Sequence, residues 1–591
     1  IRMRSNKEAV TYIGDLGAVV VNYLFGATGS FAEIARERND QHLSHLFNLY
    51  AGIADMTANA DAFVMPFIET GKRISIGPKS RSIQVKQLSS RAGSNLIWQA
   101  DSKAIGWSHG PVYYERELKD AFDFVTGAPP KLPKPLAEGT NLSFSHDADK
   151  PNGFKALVGG RIVTMRDAKN RQEVIENGIV LIQNNKIAHV GKAGSVEIPK
   201  GATVIDVKGK TIIPGLIDAH AHGGQGRNQI IPNQNWSQYS NLAFGITTIH
   251  DPSNNTNEIF SASEMQRAGL IVAPRIYSTG RILYGAESLG AKAVINSYED
   301  ALFHLQRMKD SGAISVKSYN QPARSQRQQV IAAAKKLQMM VVPEGGGKFH
   351  QNITMLVDGH TGLEHSLPIA RGYNDLTTLW AASKYGYTPT FVVSYGGLMG
   401  EEYFYDRTEV WKNPRLLRYT PHTRLDGRAI RRPTAPDNQY NHFEVAKYAK
   451  TLSDKGVSVH IGAHGQREGL ASHWELWIME QGGFTPWEAL RNGTISGATH
   501  LGMNKQIASI EVGKLADLVV IDGDVLKDLR RSEYVDYTVI NGRVYDAATM
   551  NEYGSKTKRN PFFFEGNNKT FMPSDTKDAM EQKARNYNWA H

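Results

Sequence analysis

The sequence predicts an α/β protein centred on a (β/α)8 TIM barrel over residues 214–508. Three observations carry this expectation. Strand-like runs alternate with helical ones from Pro214 to about Leu501, as repeated β–α units do. Several of those runs end in a histidine, lysine or carboxylate, at the strand ends where such a barrel displays its chemistry. Short β-rich segments flank the alternating part on both sides.

The elements follow in chain order. With 591 residues the chain is too long for one core, so two to four domains are expected. Hydrophobic residues at 41% and charged residues at 21% match a soluble globular protein. The net charge is +10, yet the basic patches at Arg428 to Arg432 and Lys556 to Arg559 are short, which favours a solvated surface over nucleic-acid binding. With Cys 0, disulfides, thiolate metal sites and cysteine nucleophiles are excluded. The chain begins at Ile1 rather than Met, which reads as a processed, truncated or incompletely assigned start. The apolar stretch Leu16 to Gly26 is too short to span a bilayer.

Residues 1–150 read as short antiparallel strands, among them Ser82 to Val85, Ser94 to Trp98 and Ala104 to Trp107. Leu43, Leu46, Phe47 and Tyr50 have the spacing of a packed helix face. A proline-rich linker, Ala128-Pro-Pro-Lys-Leu-Pro-Lys-Pro135, lies near the end of this region. Residues 151–213 read as a small β-domain with a hairpin turn at Asn184-Asn185, whose missing strands follow the barrel in 509–552, a pattern that resembles a composite β-sandwich built from both sides of a barrel. Within the barrel, Gln326 to Leu337 has amphipathic helical spacing, and Tyr387 to Val392 and Val457 to Gly462 read as strands. The tail 553–591 is polar apart from the knot Phe562-Phe563-Phe564, which reads as packing on a neighbouring surface.

The stretch Thr211 to His222, TIIPGLIDAHAH, is the strongest chemical motif. It reads as one buried strand ending in His220 and His222. Residues i and i+2 of a strand face the same way, so two imidazoles aim at one point and can chelate a metal. PGLIDAHAH resembles the signature of the amidohydrolase superfamily, over about Lys155 to Glu552. HDPSNNT, VKSYNQPARSQRQ, VVPEGG, DGHTGLEHSLP and GAHGQREGL are similar to a branch in which the barrel follows a TolB-like β-propeller. The piece SNLIWQADSKAIGWSHGPVYYERE resembles one blade; the length allows one or two, so a missing propeller portion on another chain is one implied partner.

The resemblance implies a metal site at the strand ends: His220, His222, Lys317, Glu344, His365 and His464. In the family a lysine at Lys317's position can be carboxylated and bridge two metals. Glu344 departs from the usual fifth-strand histidine, leaving two plans open: it replaces that histidine, or it bridges while Lys317 stays an amine. His464 departs from the usual eighth-strand aspartate. Histidine can bind metal or act as general base, though not through one nitrogen at once, and the ligand role is preferred. His464 and Lys317 are the catalytic candidates. Tyr319, Arg324 and Tyr395, just past strand ends, are candidates for substrate contacts. Glu468, His473 and Glu475 are candidates for the missing carboxylate or a supporting role. His250 and His442 could line the cavity, and His360 reads as structural.

An imidazole and carboxylate set without thiolate suits zinc by default, with Fe, Mn or Ni as alternatives, in one or two ions. The expected activity is hydrolysis of a peptide-like or cyclic amide C–N bond in a small-molecule or peptide substrate. The alternatives are a heterocycle deaminase and a non-catalytic binding or assembly protein on a decayed barrel. By analogy with TolB-like propellers an extracytoplasmic location is expected. The sequence leaves a homo-oligomer open.

Overall fold

The computed structural model describes residues 12–14, 17–19, 51–54, 62–66, 81–166, 173–226, 230–285, 293–319, 321, 323–369 and 371–562. The helix face expected at Leu43 to Tyr50, and Phe563 and Phe564, lie outside the described residues. The chain divides into two compact units: Ile1–His146 with Ile282–Gly312 and Ser318–Leu337, and Asp147–Arg281 with Ala313–Lys317 and Gln338–His591. No helix among the described residues is long and apolar enough to cross a membrane.

The first unit holds two antiparallel sheets. One runs in the order Tyr12–Gly14, Gly17–Val19, Ala51–Ala54, Ala62–Met65, Lys86–Gln87. The other joins Ser94–Trp98, Ala104–His109, Val112–Glu117 and Thr140–Asn141. The turn in WQADSKAIGW is closed by Gln99 N–H to Ala104 O at 3.0 Å, with Ser102 in the left-handed region at φ 57°. Trp107 stacks on Tyr114, and both join Val64, Leu96 and Phe122 in one core. The strand expected at Ser82 to Val85 is instead a turn, and pairing begins at Lys86. Pairing needs a partner edge, and here that edge is Phe63–Val64 opposite Gln87–Lys86. The amphipathic helix is Arg324–Leu337, with Val330, Ala333 and Ala334 buried.

In the second unit, strands from both ends of the alternating part share one eight-stranded sheet, ordered Lys186–Lys192, Val174–Gln183, Phe154–Val163, Lys210–Pro214, Leu518–Asp522, Val535–Ile540, Arg543–Asp546, with Thr203–Asp206 beside Phe154–Val163. Leu157, Ile182, Ile212, Val520 and Val539 form part of its core. The Asn184-Asn185 turn connects two of these strands, with Asn184 at φ 57°.

TIIPGLID is not one strand. Lys210–Pro214 belongs to the eight-stranded sheet and Leu216–Asp218 to a separate parallel row. The break falls at Gly215, where a Cβ would lie 2.0 Å from Thr247 Oγ1, so only glycine lets the chain cross between sheets here. From Leu216–Asp218 the row continues through Ile246–Asp251 to Arg275–Ser278. On the other side Ala219 N–H reaches Ile461 O (3.0 Å), Val459 bridges Tyr387, and Gly386–Thr388 pairs with Gly362–Glu364. Glu364 then bridges Glu344 beyond Met340–Pro343, and Met340 N–H reaches Ile314 O at 3.2 Å. Helices Trp236–Ala243, Thr256–Arg267, Phe349–Asp358, Asn374–Ser383, His442–Asp454 and Leu470–Gln481 alternate with these segments.

Two expected strands are shorter than their apolar runs. The run from Tyr387 stops at Thr388, because Pro389 has no N–H and Thr390 is left-handed at φ 46°; a 3-10 turn, Phe391–Val393, follows. The run from Val457 forms one isolated bridge, at Val459, with main-chain bonds through Ser458, His460 and Ile461.

Candidate metal centre

The ends of the parallel row bring six predicted residues together: His220, His222, Lys317, Glu344, His365 and His464. Ring centroids of His220 lie 5.0 Å from His222, 4.8 Å from His365 and 5.1 Å from His464. His464 lies 4.7 Å from His222 and 5.0 Å from His365. One ring nitrogen each of His220, His365 and His464 falls within a common 4.8 Å, close enough to share an ion. Main-chain bonds between neighbouring ends fix the frame: His464 N–H to His220 O (2.8 Å), His365 N–H to Thr388 O (2.9 Å) and Ala221 N–H to His250 O (2.9 Å).

Two of the histidines stand in backbone conformations that side chains other than glycine seldom adopt. His365 has φ 71° and His464 φ 57°. Such left-handed residues cluster at functional sites, held there by the surrounding structure.

In His220, His222 and His365 the Nδ1 atom is tied to the protein. His220 Nδ1 pairs with Glu364 Oε2, a carboxyl that burial raises to about 8, and His222 Nδ1 pairs with Asp251 Oδ1 at 3.0 Å. A carboxylate at one nitrogen sets the tautomer and leaves a lone pair at Nε2, the usual support of a metal-binding histidine. His220 Nε2 is buried and has no hydrogen-bond partner among the described residues. An orphaned buried acceptor is costly, and an ion in front of it removes that cost. His365 Nδ1 pairs with the Thr390 hydroxyl at 2.9 Å, and its Nε2 lies 3.1 Å from Glu344 Oε1. The second Glu344 oxygen takes the Lys317 ammonium at 2.6 Å.

Electrostatics agree with ligand chemistry. Burial, reinforced by nearby Lys317 and neighbouring rings, holds His220 well below the ordinary imidazole range, and His464 is lowered to about 2. Both are neutral, as ligands must be. Burial alone would raise Glu344, but bonding to His365 and the Lys317 charge bring it to about 2, so it is ionised. The donor set, neutral imidazoles beside one ionised carboxylate, fits a divalent transition ion.

Residues 426–545 match the family described as Amidohydrolase family. That match contains His464 and the strands that close the eight-stranded sheet; the other five cluster residues lie outside it. An imidazolonepropionase from Bacillus cereus is 40% identical over 82 residues, 12% of this chain and 19% of the relative. The chain thus spans about a fifth of the length of the curated relatives it matches. A Xaa-Pro dipeptidase structure with bound methionine in the active site aligns at TM-score 0.51 and 18% identity, covering 67% of this chain and 100% of that one. An ochratoxinase structure from A. niger aligns at TM-score 0.51 and 17% identity, covering 69% and 100%. At these identities the structural likeness concerns the fold: a mixed α/β chain with amidohydrolase-type neighbours.

The remaining candidates separate clearly. Tyr395 stands beside the cluster, its ring 6.0 Å from that of His365, with its N–H on Ser366 Oγ at 2.9 Å. Tyr319 and Arg324 belong to the first unit, where Tyr319 packs 5.3 Å from Tyr284 and Arg324 opens a helix. Glu475 is buried and accepts from the main-chain N–H groups of Val392 (2.8 Å) and Gly462 (3.5 Å), so it positions the strand ends. His473 is a satisfied core residue, donating to Phe244 O (2.8 Å) and accepting from Ser532 Oγ (2.9 Å). His250 donates to Ala219 O and accepts from Ser315 Oγ, and His360 meets Met355 O. His442 contacts Gln481 Oε1. Glu364, Asp251, Thr390 and Asp218 are absent from the sequence-based site. Asp218 Oδ1 accepts from His220 N–H (3.2 Å) and Ala463 N–H (3.0 Å), tying the first and last ends of the motif pair together. Their one signal is adjacency: Glu364 precedes His365 and Asp251 follows His250.

Proposed function

We propose that this protein is a metal-dependent amidohydrolase that cleaves a C–N bond in a peptide-like or cyclic amide, and that its parallel row closes into a (β/α)8 barrel. One observation carries the reading: four histidine rings converge at the row's ends, and two of them, His220 and His222, are backed at Nδ1 by buried carboxylates. Partial resemblance to an imidazolonepropionase and to a Xaa-Pro dipeptidase structure supports the substrate class.

His220, His222, His365 and His464 would hold the ion, with Glu344 between His365 and Lys317; zinc is the default, in one or two ions. A bound divalent ion supplies an activated water and polarises the substrate carbonyl. The chain's own residues do the rest. Glu364 and Asp251 fix the imidazole tautomers. Tyr395 offers a phenol beside the cluster for orienting the amide. Lys317 is an ammonium in the metal-free protein, because its carbamate would set an anion against the ionised Glu344. Carboxylation by CO2, forming an N–C bond as the ammonium loses its protons, would give a carbamate able to ligate the ion beside Glu344.

The test is elemental analysis of protein purified without added metal, wild type beside His220→Ala and His464→Ala, followed by a dipeptide and cyclic-amide hydrolysis panel. One or two equivalents of Zn, Fe, Mn or Ni, lowered in both variants, together with amide turnover supports the reading. No metal uptake on titration sinks it and leaves a scaffold. Metal without amide turnover but with ammonia release from a heterocycle favours a deaminase.

A further inference from the structure

Away from the metal centre, at the start of the parallel row, the chain leaves a cavity of about 220 Å³. Arg275, in its wall, opens the strand Arg275–Ser278 and pairs with Thr248, whereas Asp251, behind His222, pairs with Ser278 at the other end. All of the lining residues belong to one compact unit. At about 30 Å³ per liquid water the cavity holds roughly seven, more than a structural water site needs.

Three cations line this space. Arg275 donates through Nε and Nη2 to Asp517 at 2.6 and 3.1 Å, and its Nη1 has no hydrogen-bond partner among the described residues. Burial alone would lower Arg275, but Asp517 raises it, so the guanidinium is charged. Arg267 ends the helix Thr256–Arg267, where its Nη2 meets the Ser263 hydroxyl at 3.3 Å. Among the described residues neither Arg267 nor Lys150 has a carboxylate partner. The chain beside Lys150 is fixed through Asp149. Its N–H reaches Arg267 O at 2.8 Å, and its carbonyl takes Asn541 Nδ2 at 2.6 Å. Asp149 is the one acid lining the cavity among the described residues, and both its carboxylate oxygens lie on Arg543, at 2.7 and 2.8 Å.

The lining is therefore a set of donors. The Tyr277 hydroxyl, close enough to act on the Arg275 charge, and the Gln266 amide add two neutral ones. Three cations beside one neutralised acid favour an anion. Guanidinium N–H groups and a lysine point charge are the usual partners of phosphate oxygens. A dianion matches the two cations that lack an acid, whereas a single carboxylate leaves one of them unmatched. The volume exceeds that of a bare oxyanion, and Ile276 and Leu515 supply an apolar wall for an attached organic group.

We propose that this cavity binds a small phosphomonoester, its phosphate held by Lys150, Arg267 and the free edge of Arg275, its organic part against Ile276 and Leu515. The site does not depend on the metal-hydrolase reading.

Titration calorimetry of the full chain tests it, with phenyl phosphate, inorganic phosphate and phenol at equal ionic strength. The expected result is saturable one-to-one binding of phenyl phosphate, weaker binding of inorganic phosphate and none of phenol. Lys150 and Arg267 are exposed, so Lys150→Ala and Arg267→Ala keep the wild-type unfolding midpoint and bound metal. Each is expected to weaken phenyl phosphate about tenfold or more. His220→Ala, aimed at the metal centre, leaves the binding unchanged. No saturable binding to the wild type overturns the proposal, as does binding that survives both cavity substitutions together. Binding lost in His220→Ala assigns the phosphate to the metal centre and also overturns it. Inorganic phosphate held as tightly as the ester assigns the cavity to the free ion and overturns the ester.

Discussion

Glu344 and His365 meet across two neighbouring strand ends, with 3.1 Å between Oε1 and Nε2, while the other Glu344 oxygen holds Lys317 at 2.6 Å. Lys317 is 2% exposed, so Glu344 is what keeps that ammonium from being a lone buried charge. In chelator-treated protein, Glu344→Ala is expected to cost about 3–5 kcal/mol, because it strands the cation. Lys317→Met added to it restores most of the loss. Denaturant unfolding of the two single variants and the double variant measures this, and additive effects would show that the pair is not coupled.

The carboxylates behind the rings come next. Asp251→Asn and Glu364→Gln leave the histidines in place but weaken control of their tautomers. Metal affinity is expected to fall about 10–100-fold in each. Competition against a chromophoric chelator reads the change, and unchanged affinity in both would remove His220 and His222 from the ligand set.

Gly465 sits at φ +66°, and a Cβ there would lie 2.4 Å from the His222 carbonyl oxygen. Gly465→Ala should therefore destabilise the fold by more than about 1 kcal/mol and lower bound metal, since His464 must move with the loop. Thermal denaturation and elemental analysis check both effects. A variant with wild-type midpoint and full metal would show that the loop adapts freely.

The pH dependence of stability follows from buried neutral histidines. Burial lowers His473 from 6.5 to about 3. Between those values the unfolded chain binds a proton that the native one does not, so stability rises with pH, and acidification below 6.5 removes it. His473→Gln is expected to make the acid limb shallower by up to about 1.4 kcal/mol per pH unit. Urea unfolding at pH 7 and pH 5 measures this, and an unchanged slope would mean that His473 is protonated in the native state.

The centre of the site is legible in the sequence because strand periodicity is local. His-Ala-His needs only an i, i+2 rule to put two rings together, and Lys317, Glu344, His365 and His464 each close or follow an apolar run. The carboxylates behind these rings are not local. Glu364 reaches His220 across 144 positions, and no spacing rule encodes that contact. Strand limits fail for a related reason. Gly215 and Pro389 sit inside continuous apolar runs, and only contact with Thr247 or the lack of a main-chain donor shows that the strand must stop. Isolated histidines were equally opaque: His250, His360 and His473 differ from ligands only in what their nitrogens touch.

The left-handed backbone at His365 and His464 also bears on the order of events during maturation. An unfolded chain rarely visits that conformation at both positions at once, so nascent polypeptide offers an incoming ion no more than the His220–His222 pair. Capture with all donors has to wait until the strand ends are assembled. On the proposed reading, loading would be a late step on a preformed cage, which a chelator would empty and an ion refill without a round of unfolding.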